Sequence, residues 1–406
     1  MMRSVPSQEP KSGPVCLKIV VPVWGDTYLD TFLEYSLPAQ LSSGNIPVLG
    51  SNLQNRYLIY TNEVGRQRCE RHTLFALLES HVTVEFRSID ALPNRADGNK
   101  YRIKSDCYAL ELESASKTGA AVAMLNADIL LADGFIRQTL RLLEQGKRVI
   151  EVTGGRGLQD PIKTELDGEF RLHDRTISIS PTDLARIWIA NLHPQLAMHH
   201  VEGAEGGSLH PSHLYWPVGS EGVIIRAFHL YPIVVKPGPV PIRFFGTIDD
   251  DLVAQLAPSA EERFLAQDGT ELFCCELSPP EHFVGDVAWR GNQDSVINFY
   301  LRYRNENIPN LAKEIIISGK PALGELWEER RRVSREYADH LIGDLQKEIA
   351  RRSAALQVNP AMEIATPESE SGDLLKGVNE KESAGDRSSS LWSRFLASLR
   401  AARYRS

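Results

Sequence analysis

AAVAMLNADILL, residues 120–131, is the most apolar run in the chain. A continuous apolar run of this kind reads as a strand buried on both faces, the pattern of a parallel sheet. Two polar residues, Asn126 and Asp128, interrupt it near its end. A carboxylate at the tip of a buried strand is poor packing, because an unpaired buried charge is costly. It makes sense where a divalent cation or a cationic partner meets it. The competing reading is local: Asp128 caps a loop or pairs with an arginine.

Upstream, the same strand character recurs in CLKIVVPVW (16–24), RYLIYT (56–61) and VTVEFRSID (82–90). Helical patterns separate these strands. TYLDTFLEYSL follows Asp26, a candidate cap, and should stop at Pro38; RQRCERHTLFALLES covers 66–80; a third helix covers 100–118. The resulting β-α-β-α-β-α-β alternation predicts an α/β fold with a doubly wound, mostly parallel sheet and right-handed crossovers. Ligands of such sheets bind beyond the carboxyl ends of the strands. Those ends carry Trp24, Thr61, Asn62, Asp90, Asn126 and Asp128.

Downstream, DGFIRQTLRLLEQGK predicts a helix and RVIEVTGGRG a strand running into a glycine-rich loop. That loop is neither a Walker loop nor a dinucleotide fingerprint. Its glycines allow close approach of backbone to a ligand, and Arg156 lies within it. The region 155–330 is less regular. It holds the helical TDLARIWIANLHPQLAMHHV, the strand-like EGVIIRAFHLYPIVVKP and the acidic step GTIDDDLVAQL. A long charged helix is expected over 322–356, with Val333, Tyr337, Leu341, Leu345 and Ile349 as an apolar stripe. Residues 1–15 read as a flexible leader and 357–390 as a disordered acidic linker. The segment 391–406 reads as a basic amphipathic helix of the kind that lies on anionic lipid, or docks on a partner.

Composition narrows the function classes. The 406 residues are 42% hydrophobic and 24% charged, the balance of a soluble globular protein. A net charge of −8 gives no overall basic field, so no nucleic-acid partner is expected. Five cysteines without a CxxC pair suggest neither a disulfide framework nor a zinc cage, and Cys274-Cys275 read as structural thiols. No run approaches the ~18 apolar residues of a membrane span, and the first residues lack a signal-peptide core. A cytoplasmic location is expected, with peripheral contact at the inner face of the membrane through 391–406.

The strand order, with IVVPVW opening it and Asn126-Ala127-Asp128 at a strand end, resembles the GT-A glycosyltransferases over roughly Leu17 to Asp251. The resemblance implies a GT-A-type domain over 16–321, with a nucleotide-sugar half at about 16–150 and an acceptor half at about 151–321. It implies a nucleotide-diphosphate sugar as donor and a hydroxyl acceptor, for instance a lipid-linked glycan in surface polysaccharide or glycan synthesis. The family's D-x-D motif holds a divalent metal, Mn2+ or Mg2+, on the donor diphosphate. Here Asn126 replaces its first acid and Asp128 keeps the place of the usual metal ligand, so metal-independent action stays open. His229 is the candidate second ligand, a histidine at the end of a strand-like run. Trp24, Thr61, Asn62 and Asp90 fall where the family holds base and ribose. Lys100 and Lys104, four apart on one helix, would touch the diphosphate. The triplet Asp249, Asp250, Asp251 resembles the family's catalytic base, with the choice among the three open; equally, it favours a helix dipole. Two other readings remain: a catalytically inactive sugar-nucleotide-binding or scaffold protein, and a nucleotidyltransferase. The last lacks its usual basic glycine-rich loop after the first strand.

Overall fold

The computed structural model describes residues 15–50, 52, 54–92, 98–201, 212–239, 252, 253, 255–282, 293–302 and 305–358. The acidic triplet 249–251, the segment 391–406, nearly all of the proposed linker and residues 1–14 of the proposed leader lie outside them. The chain forms two compact units. The first takes its described residues from Met1–Ala197, His229–Val284 and Ile315–Gly319, the second from Met198–Phe228, Gly285–Glu314 and Lys320–Ser406.

The first unit is a mixed α/β structure around a large, mostly parallel sheet. Its leading strands are β1 (Leu17–Pro22), β2 (Arg56–Thr61), β3 (Thr83–Ser88) and β4 (Ala121–Met124). After them come β5 (Ile129–Leu131), β6 (Val149–Val152) and β7 (Arg156–Leu158). Strands β8 (His213–Val218) and β9 (Gly222–Ala227) belong to the second unit; β10 (Tyr231–Val235), β11 (Arg263–Leu265) and β12 (Cys274–Ser278) return to the first. Among the described residues the main sheet has the order β11-β6-β10-β4-β1-β2-β3. β1 pairs in parallel with β2 and β4, and β2 with β3. β10 runs antiparallel between β4 and β6.

Both faces of this sheet are covered, and the alternation of side chains sorts them. Ile19, Val21, Ile59 and Ala123 pack on one side with Leu29, Phe32 and Phe135. Val20, Leu58, Val122 and Met124 pack on the other with Ile103, Cys107, Tyr108 and Leu112. The edge strand β3 is only partly covered and carries charge. Its Glu85 pairs with Arg56 at 3.0 Å, a device that blunts an open edge.

The helices of this unit include α1 (Asp26–Thr31), α2 (Leu37–Gln40), α3 (Glu63–Arg71), α4 (Phe75–His81), α5 (Lys100–Thr118), α6 (Phe135–Glu144), α7 (Gln159–Glu165) and α8 (Pro181–Ala190). α5 matches its expected span. Asn99 opens it by accepting from the amides of Tyr101 and Arg102, and Gly119 closes it at φ 74°, a conformation suited to glycine.

Four expectations change. The run 120–131 is not one strand but two. β4 ends at Met124, the chain turns through Asn126–Asp128, and β5 joins a separate three-stranded sheet, β5-β12-β7. The helix expected at 66–80 divides at His72, whose backbone is extended. The helix before Pro38 does not stop there: a π-turn over Phe32–Ser36 joins α1 to α2, which contains the proline. Asp26 does not cap α1. Gly25 holds the cap position, and Asp26 pairs with Arg68 at 3.1 Å.

In the second unit β8 and β9 form an antiparallel hairpin with Tyr215 opposite Ile225. The helix Glu325–Val358 realises the expected charged extension. Its most buried positions are Trp327, Ser334, Ala338, Leu341 and Leu345, so the stripe is rotated from the expected one at its start. Ser334 receives a bond from the buried Arg226, which also donates to the carbonyls of Leu311 and Ala312. No helix of the described residues is long and apolar enough to cross a membrane.

Candidate functional site

The small sheet β5-β12-β7 sets out the site. In its register Glu276 of β12 lies opposite Ile129 of β5, next to Asp128, and opposite Arg156 of β7. Directly opposed residues project to the same face, so the pairing itself brings an acid and a guanidinium together. Arg156 Nε stands 3.3 Å from Glu276 Oε2. The backbone carries the register past the turn: the Glu276 amide donates to the Gly155 carbonyl and the Leu277 amide to the Asp128 carbonyl, each at 2.9 Å. Gly155 is required here, because a Cβ would stand 2.5 Å from the Trp188 ring.

Around this group the first unit has a cavity of about 240 Å³ at the carboxyl ends of β1 and β4. Pro22, Val23 and Trp24 line it where β1 ends, and Asn126, Ala127 and Asp128 where the chain leaves β4. The first turns of α5 contribute Lys100, Tyr101 and Lys104. Tyr28, Arg156, Glu276, Ser278, Glu281 and His282 complete it.

The polar groups are held in a defined order. The Tyr108 hydroxyl donates to Asn126 Oδ1 at 3.2 Å, and Asn126 Nδ2 donates to Glu276 Oε1 at 2.5 Å. Arg156 also donates to Gln195 Oε1 and to the His282 carbonyl. Burial raises the Asp128 carboxyl well above the ordinary aspartate value and the neighbouring Glu276 charge raises it further, while Arg156 and Lys104 pull it back. Burial likewise raises Tyr28 and Tyr101, keeping both phenols as neutral hydrogen-bond donors. Burial, followed by the charge of Lys100, lowers His282, so its ring is neutral at pH 7. Its ring stacks toward Tyr28 with centroids 6.5 Å apart.

Of the residues expected from sequence, the fold brings Trp24, Lys100, Lys104, Asn126 and Asp128 to one cavity. Thr61, Asn62, Asp90 and His229 are not among its lining residues. Thr61 is buried at the end of β2, and Asn62 caps α3 by accepting from the Gly65 amide at 2.9 Å. Asp90 lies in the turn after β3, and its amide donates to Ser88 Oγ. His229 stands between β9 and β10, partly buried. Glu276, Tyr28, Tyr101, Ser278, Glu281 and His282 were not anticipated. Glu276 had a readable signal: it is a single acid inside the apolar run FCCELS, the same pattern that marked Asp128.

Chemically the cavity offers Lys100, Lys104 and Arg156 to an anion. Asp128 and Glu276 offer oxygen to a hard cation or to hydroxyls. Among the described residues no three His, Cys, Asp or Glu side chains converge to hold a metal by themselves. A cation here would need oxygens from the ligand as well, the usual arrangement for Mg2+ on phosphates.

No protein-family model matches the chain, and no curated protein does. Among solved structures it is similar to mouse xyloside xylosyltransferase 1 in its apo form, at 11% identity and a TM-score of 0.23. The match covers 39% of this chain and 60% of that one, so the chain spans about three-fifths of the length of that structure.

Proposed function

We propose that this cavity binds the diphosphate of a nucleotide sugar and that the protein is a glycosyltransferase acting on a hydroxyl acceptor. The observation that carries this reading is the composition of one cavity at the carboxyl edge of a mostly parallel sheet. Three cationic side chains, Lys100, Lys104 and Arg156, share it with three carboxylates, the paired Asp128 and Glu276 deep in the small sheet's register and the exposed Glu281. Diphosphate oxygens are recognised by such charge-assisted bonds, and a leaving diphosphate is stabilised by the same groups. The rings of Trp24, Tyr28 and Tyr101 give the base or sugar an apolar surface. A divalent cation fits the oxygen donors Asp128 and Glu276, and would neutralise charge on the diphosphate. The acceptor's proton needs a base; the triplet Asp249–Asp251 is the candidate in the sequence. A lipid-linked acceptor would suit a protein whose segment 391–406 rests on the inner face of the cytoplasmic membrane.

Asn126 in place of an acid favours a second reading, a sugar-nucleotide-binding protein without turnover. The test is a thermal-shift series with UDP, GDP and their sugars, with and without Mn2+, followed by an assay for released nucleotide diphosphate. A ligand at 100 times its Kd stabilises by about 2.7 kcal/mol. Stabilisation plus release, both lost in a folded Asp128→Ala variant, supports the transferase. Stabilisation without release across a broad donor and acceptor panel favours the binding protein. No response to any nucleotide diphosphate sinks both.

A further inference from the structure

We infer that Glu276 supplies the second carboxylate of a divalent-cation site with Asp128, in the place where Asn126 leaves the turn one acid short, and that Asn126 serves as its positioning residue. The inference rests on the donor-site reading above and assigns the metal to particular side chains.

Three observations support it. The register of β12 against β5 sets Glu276 beside the residue that follows Asp128, so two carboxylates 148 positions apart in sequence face one cavity. Asn126 is oriented by Tyr108, whose hydroxyl takes its Oδ1, leaving Nδ2 aimed at Glu276 Oε1. The carboxylate of Glu276 is therefore held at the side chain of the very residue that lacks one. Finally, the charge of Glu276 is balanced by Arg156 at 3.3 Å. With Glu276 engaged by a cation, Arg156 would lose its ion pair, stay anchored on Gln195 and the His282 carbonyl, and have its charge free for phosphate. Cation and diphosphate then favour each other's binding, and the coupling is reciprocal. Two carboxylate ligands completed by phosphate oxygens is the usual economy of a Mg2+ or Mn2+ site on a nucleotide.

The experiment is a Mn2+ titration of the full chain, followed by the electron paramagnetic resonance of free Mn2+, with and without UDP or GDP. Melting curves of every variant check folding. The wild type should bind Mn2+ more tightly when the nucleotide diphosphate is present. Glu276→Gln should weaken that binding by at least about tenfold, and Asp128→Asn should do the same or worse. The double variant Asn126→Asp with Glu276→Gln exchanges acid and amide while keeping their hydrogen bond and total charge. It should return to within about threefold of wild type. The inference is overturned if Glu276→Gln binds Mn2+ like wild type, or if the exchanged pair melts normally yet binds no better than Glu276→Gln. It also falls if a nucleotide diphosphate raises the melting temperature while Mn2+ does not bind at all; the donor-site reading then stands. If neither binds, both fall.

Discussion

Lys104 follows Lys100 by one turn of α5, and both reach the cavity from a helix whose first amides are already capped by Asn99. Lys104 acts on Asp128 through its charge, whereas Arg156 also ties Glu276, Gln195 and the His282 carbonyl together. Lys104→Ala should therefore weaken UDP or GDP binding by about tenfold. A hydrogen bond to a charged group is worth ~1.5–3 kcal/mol and each 1.4 kcal/mol is a factor of ten. The melting temperature should stay close to wild type. Arg156→Ala should lower binding and melting temperature together, and calorimetry on the two variants separates the cases. At this scale the sequence is legible for the cavity-lining residues at the end of a strand or the start of a helix: Trp24, Lys100, Lys104, Asn126 and Asp128. Glu276 was not found, because its place follows from strand register. The lone acid in FCCELS marks Glu276 as unusual, but its partner is set by register, which depends on which strands pair across a long irregular stretch.

Elements hold two lessons. Pro38 was expected to end its helix because it has no amide to give to the carbonyl of Glu34. The π-turn shifts the bonding instead, with the Leu37 amide reaching the Phe32 carbonyl. The Glu34 carbonyl is taken by Arg171 Nη2 at 2.8 Å. A side chain from 137 positions away thus lets the helix continue, which is why local sequence misread it. Arg171→Ala should cost about 1–2 kcal/mol in urea unfolding, the penalty for an acceptor left without a donor plus a lost ion pair to Asp167. The second lesson concerns the loop after α8. His193 is fully buried; its Nδ1 accepts from the Gln195 amide at 3.2 Å and its Nε2 donates to the Pro279 carbonyl at 2.8 Å. Its own amide donates to the Arg156 carbonyl. Both ring nitrogens are satisfied only in the neutral form, and burial lowers its pKa from 6.5. The unfolded chain then binds a proton that the native chain refuses, so stability falls as pH drops below ~6.5 and levels off below the native pKa. His193→Asn should lose that part of the pH dependence, seen as a flatter curve of melting temperature between pH 7 and 5.

Across the whole molecule, the alternation of strands and helices was enough to specify a mostly parallel sheet, since buried apolar strands separated by helices admit few other arrangements. It was not enough to place β10. That strand enters antiparallel between β4 and β6, from a run that reads as continuous with β9. The break at Phe228–Leu230, where the chain passes from one unit to the other, has no glycine to announce it. Charge is the other property of the whole chain. The net −8 hides residues 387–406, which hold five arginines and no acid. Leu391, Trp392, Phe395, Leu396 and Leu399 recur among those arginines at near-helical spacing. An apolar strip with Trp and Phe beside arginines suits the boundary of an anionic bilayer, where each basic residue contributes ~1 kcal/mol. The full chain should therefore co-sediment with vesicles containing phosphatidylserine, weakly with neutral vesicles, and less as salt rises. A chain ending at residue 387 should stay in the supernatant while keeping the same melting-temperature response to UDP or GDP. If the shortened chain pellets with anionic vesicles as fully as the intact one, the segment is not the anchor.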